Sequence, residues 1–188
     1  MTTPIYSEGT PSERADLIGL LSGQELKRLV RYSWLPEDEA VEEYEIEKDQ
    51  LFSLTTGPLL MYFSSGLTVG FSSDPSKNSV VLWVEKNEGG EVIEGLSEND
   101  EELFSIDANN QSSYWNEFLG KKIASLRVIH RKANTAKLAE LVNEVGLIII
   151  FEDESEFLLS HGLHDNSDDF SVIRKEQITR ELLSQLDV

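Results

Sequence analysis

Residues 160–169, SHGLHDNSDD, bring two imidazoles and three carboxylates together within ten positions. Imidazole nitrogens and carboxylate oxygens are zinc ligands, and zinc takes three or four of them in a tetrahedral array. His161, His164 and Asp165 form the candidate set, with Asp168 as an alternative to Asp165. No helix is predicted here to fix both rings on one face, as the HExxH pattern requires. His130 is the only other histidine, and it falls on a different predicted strand. The competing reading is an exposed polar turn, in which Asp, Asn and Ser hydrogen-bond their own backbone. A calcium loop starting at Asp165 fails at its sixth position, where Phe170 stands in place of the required glycine.

Other reactive patterns are missing. There is no cysteine, which excludes disulfides, thiolate metal sites and cysteine nucleophiles. Gly89-Gly90 stands alone among acids and is not a phosphate loop. No G-x-S-x-G elbow occurs. No cofactor and no enzymatic activity is expected from these motifs.

Charge is the second feature. The chain of 188 residues carries a formal net charge of −19. Such a field repels nucleic acid and anionic membranes and attracts basic proteins. Residues 37–49 hold eight acids and one lysine, and residues 88–102 hold seven acids and no base. Residues 121–137 hold six of the sixteen Lys and Arg. Glu42, Glu43, Glu45 and Glu47 are the candidate partner-binding residues, with Tyr44 and Ile46 offering an apolar face if the run is a strand. The expected function is a non-enzymatic acidic binding protein for a basic protein partner, of the inhibitor or immunity-protein kind. A metal-binding or hydrolase domain on His161, His164 and Asp165 is one alternative, and a structural or regulatory domain is another.

The N-terminal stretch lacks a basic start followed by an apolar run, and no apolar stretch reaches the ~20 residues of a bilayer span. A soluble, cytoplasmic monomer is therefore expected.

The elements that must carry these residues are short. Thr10-Pro11-Ser12-Glu13 has a capping-box pattern before Leu17, Leu20 and Leu21. Ser22-Gly23-Gln24-Glu25 repeats it, and Leu26, Leu29 and Val30 predict a second helix ending at Pro36. Segments 51–56, 59–65, 67–73 and 79–86 are rich in β-branched and aromatic residues and predict an antiparallel meander. After a polar connection at 94–113, residues 113–120 predict a short helix closed by Gly120, 122–132 a strand and 135–144 a short helix. Three more strands follow, and 175–186 predicts an amphipathic terminal helix with Ile178, Leu182 and Leu186 four apart.

Sliding the sequence by 88 residues places Phe63 on Phe151, Ser72 on Ser160 and Asn78 on Asn166. One extra residue in the later turn then matches 80–86 to 169–175, and the predicted helix at 25–34 lies near 113–122. The expected fold is α+β: internally duplicated antiparallel β-meanders, as two packed sheets or a closed barrel, with short flanking helices. Residues 1–93 form the first half, 94–113 the connection and 114–188 the second half, joined as one compact unit.

Overall fold

The computed structural model describes residues 8–93, 103–110 and 113–188. The acidic positions 94–102, and with them most of the acid in the run at 88–102, lie outside the described residues. The first half contains β1 (Leu26–Ser33), β2 (Leu59–Phe63), β3 (Thr68–Asp74), β4 (Ser79–Lys86) and β5 (Phe104–Asp107). They form one antiparallel sheet in the order β4-β3-β2-β1-β5. The second half contains β6 (Ile123–Arg131), β7 (Glu144–Phe151), β8 (Glu156–His161), β9 (Phe170–Ile173) and β10 (Leu186–Asp187). Their sheet runs β10-β6-β7-β8-β9, so strand order and direction repeat those of the first. The two sheets pack face to face, and neither closes into a barrel.

The repeat holds residue by residue. Met61 pairs with Val69, and Ile149 with Phe157, each shifted by 88. Leu26 pairs with Phe63, and Ile123 with Phe151, so the first strands are related by 97. The segment between first and second strands is thus nine residues longer in the first half. Both first strands carry a bulge at the same place, after Leu26 and after Ile123. The last strands are related by 90, because Phe71 pairs with Leu82 and Leu159 with Val172. The later turn therefore has two extra residues, not one.

The halves also grip each other reciprocally. The Gly23 amide donates to the Ile123 carbonyl at 2.8 Å, and the Gly120 amide donates to the Leu26 carbonyl at 2.7 Å. Both glycines have left-handed backbone, with φ of 84° and 83°. That conformation is nearly free for glycine and costly for other residues.

Several local expectations are corrected. Residues 26–33 are a strand, not a helix. The bulge after Leu26 puts Leu26 and Leu29 on one face, and so produces a helical spacing within a strand. The match of this segment to 113–122 fails for the same reason, because its true counterpart is β6. Residues 51–54 form a helical turn, α3 (Leu51–Leu54), wedged against β9. The terminal helix is broken: a 3-10 turn (Lys175–Gln177), an extended Ile178, α6 (Arg180–Leu183) and then β10. Its three apolar residues are buried as their spacing predicts. The remaining helices are α1 (Ala15–Leu21), α2 (Glu37–Glu43), α4 (Ser113–Asn116) and α5 (Ala136–Ala139). In the turn before α1, the Thr10 amide donates to the Glu13 carboxylate at 2.9 Å, as a capping box requires. β5 lies inside the polar segment read as a connection.

The main core lies between the sheets. Leu29, Met61, Phe63, Val69 and Leu82 meet Leu147, Ile149, Phe151, Phe157 and Val172 there. Phe52, Trp115 and Phe118 add an aromatic cluster, with ring centroids 5.0–6.2 Å apart. A second core on the outer face of the second sheet joins Ile148, Leu158 and Ile173 to Ile178, Leu182 and Leu186. No helix among the described residues is long and apolar enough to cross a membrane.

Candidate functional site

The histidine turn follows β8. Alternation along β8 puts Phe157, Leu159 and His161 on the inward face, and His161 is only 3% exposed. This corrects the expectation of an exposed turn at that position. Its Nε2 lies 3.8 Å from an Asp168 carboxylate oxygen, and its Nδ1 is buried with no hydrogen-bond partner among the described residues. Burial lowers the His161 pKa, against an opposing pull from Asp168. His164 is half-buried and Asp165 is exposed.

The rest of the turn is held by its own backbone. The Asp165 carboxylate accepts from the Ser167 amide at 3.0 Å, and the Asn166 amide donates to the Gly162 carbonyl at 2.8 Å. Gly162 has a φ of 71°, and a β-carbon there would lie 2.1 Å from the Ser167 carbonyl oxygen, so only glycine fits. Leu163 plugs the turn into the second core. Among the described residues, no three His, Asp or Glu side chains converge as a metal site. His161, His164 and Asp165 therefore lie in one turn without facing one point.

The acidic run lies in the longer link of the first half, between β1 and β2. Residues 37–43 are helical, because Pro36 starts the helix and Glu37, Asp38 and Glu39 suit its first turn. This corrects the strand reading of Tyr44 and Ile46. Ala40 is the one buried residue of α2 and anchors it. Glu42, Glu43, Glu45 and Glu47 are all exposed. Glu37 pairs with Lys48 at 2.9 Å, with both side chains largely in solvent. Glu42 and Glu43 sit at the C-terminal end of α2, where the helix dipole disfavours negative charge. Glu45 has a φ of 55°, in the left-handed region that costs a non-glycine residue about 1–2 kcal/mol.

Aromatic side chains flank these acids. Trp34 is 51% exposed and Tyr44 is 60% exposed, and Val41 between them also faces solvent. Phe104 of β5, likewise exposed, pairs with Ser33, the neighbour of Trp34. Trp34 directly follows β1, and Phe104 lies within the polar segment 94–113. Once β1 is known to be a strand, parity with Leu29 places one more residue on its inward face. Arg31 is fully buried, and burial without a carboxylate partner brings its pKa down to about 9.

Searches against protein-family models, curated proteins and solved structures found no match for this chain.

Proposed function

We propose that this chain is a non-enzymatic binding protein whose acidic link docks a basic protein partner, as an inhibitor or immunity protein docks a basic toxin. One observation carries the reading: the acids lie in a segment nine residues longer than its counterpart, so the repeated fold closes without the extra length. Acid at the wrong end of α2 and a strained Glu45 point the same way, since neither serves stability. Exposed Trp34, Tyr44 and Phe104 supply the aromatic anchors that dominate interface energetics, and the surrounding carboxylates supply steering.

The test is affinity capture from the native cell. The baits are wild type, a Glu42→Lys, Glu43→Lys, Glu47→Lys triple variant, and Trp34→Ala. A basic protein held by the wild type and lost by the triple variant supports the reading. Its association rate should fall at least about tenfold in the triple variant at low salt. The gap should narrow above about 0.5 M, where the Debye length is only a few Å. Equal rates would remove this surface from the interface. Failure to recover any basic protein would leave the acid as a solubilising coat.

A further inference from the structure

We propose that the outward face of the first sheet is a binding groove for a small multivalent oxyanion of the phosphate class. The groove is open to solvent and offers about 510 Å³, within the ~300–1,000 Å³ usual for small-ligand sites. Its floor is one row of cross-strand neighbours: Arg28 on β1 faces Tyr62 on β2, which faces Thr68 on β3, which faces Lys86 on β4. Directly opposed residues share a face of the sheet, so these four line up across four strands, with Thr68 itself buried. Lys27 and Asn109 complete the wall.

Three cations thus gather on one face of a protein with a net charge of −19. Arg28 is pre-positioned. Its Nε donates to the Asp107 carboxylate at 2.6 Å, and its guanidinium lies 5.3 Å from the centroid of the Tyr62 ring. Its two terminal nitrogens make no hydrogen bond to a described residue, and Lys27 makes no ion pair with one. A guanidinium presents paired N–H donors to two oxygens of one anion, and ammonium groups add point charges. The carboxylate of Asp107 and the overall negative field oppose an incoming anion. At physiological salt the Debye length is about 8 Å, so charges lining the groove outweigh distant ones at contact.

The second half is an internal control. The row equivalent to Arg28, Tyr62 and Thr68 is Ser125, Ile150 and Glu156, and Ala124 stands for Lys27. The same sheet is therefore built without the basic residues. The groove is also separate from the acidic link. Arg28 and Trp34 are six positions apart along extended chain, roughly 20 Å at ~3.3 Å per step, so this inference does not rest on the proposed partner.

The probe is pyrophosphate, titrated calorimetrically into the full chain at about 0.15 M salt. Saturable binding of one equivalent is expected. Lys27→Gln should weaken it by about tenfold, a loss of about 1.4 kcal/mol. Arg127→Gln, which removes one exposed charge from the other sheet, should leave it unchanged. Unaltered melting temperatures would show that the variants are folded. Equal weakening by Arg127→Gln, or no saturable heat at millimolar probe, would overturn the proposal. So would self-association of the chain that Lys27→Gln abolishes without any pyrophosphate binding, since the face would then be an interface between copies.

Discussion

The Arg31 guanidinium, buried on the first sheet, stacks over the Phe170 ring of the second, with its carbon 4.7 Å from the ring centroid. Its Nη2 donates to the Phe170 carbonyl at 2.6 Å and to the Thr55 carbonyl, while Nε and Nη1 are buried with no partner among the described residues. One side chain therefore ties β1, the end of α3 and β9 together, but leaves a buried charge without a carboxylate. The equivalent position in the second half is Val128.

Two effects compete when Arg31 is replaced by methionine. Two carbonyls lose a donor, at about 1–3 kcal/mol each when left buried. The lone buried charge is also removed, and its cost is several kcal/mol. The second is expected to equal or exceed the first, so Arg31→Met should be neutral or stabilising by up to about 4 kcal/mol in denaturant unfolding. Because burial lowers the folded-state pKa to about 9, the unfolded chain holds this proton more tightly. The wild type should therefore gain on Arg31→Met as pH rises above about 9. A methionine variant more than about 2 kcal/mol weaker at neutral pH would mean that the bridging hydrogen bonds prevail.

His161 and His164 should separate sharply. His161 is buried against the main core, so His161→Ala should cost about 1–3 kcal/mol, whereas His164→Ala should stay within about 0.5. The His161 pKa is lowered in the folded state, so its contribution is complete above about pH 6.5. It should drain away as pH falls below that, through the folded pKa. Stability measured between pH 7 and 5 should fall more steeply for wild type than for His161→Leu, and parallel curves would show that the ring does not titrate on unfolding.

Phe63 and Phe151 close equivalent hairpins and are 3% and 1% exposed. Truncation of either to alanine should cost about 3–5 kcal/mol. The double variant should unfold the chain outright if the two losses add. A change below about 0.5 kcal/mol in either single variant would place that ring outside the core.

The acids at the end of α2 should be a stability cost retained for another purpose. Glu42→Lys and Glu43→Lys replace charges that oppose the helix dipole with charges that suit it, each worth about 0.3–1 kcal/mol. Both variants are expected to melt at or above the wild-type temperature. A clear drop in melting temperature would show that the carboxylates hold the local structure together.

What could be read from the sequence follows from physical periodicity. β2, β3, β4, β7 and β8 are short apolar runs rich in β-branched and aromatic residues, buried on both faces and punctuated by Gly, Pro and Asn, so both their existence and the shift of 88 were legible. β1 was not, because its bulge places Leu26 and Leu29 on one side as a helix would. The equivalence of β1 and β6 was hidden by the longer link, which changes the shift to 97. Exposure of Glu42, Glu43, Glu45 and Glu47 was legible from the cost of burying carboxylates. Burial of His161 and Arg31 was not, because polar residues at inward strand positions look like surface until the register is known. The groove on the first sheet required four strands to be placed side by side before Arg28 and Lys86 became neighbours.

Glu25 and Lys122 occupy the same position in the two halves, and their backbones meet in a single antiparallel bridge. An approximate two-fold axis passes between them. Two separate, identical copies of one half would have to place glutamate against glutamate there, or lysine against lysine. Joining the halves in one chain lifts that restriction, so opposite charges can meet on the axis. The tether thereby turns a self-complementary contact into a directional one. Each half is fitted to its partner and no longer to its own duplicate, which disfavours half-for-half exchange between neighbouring molecules.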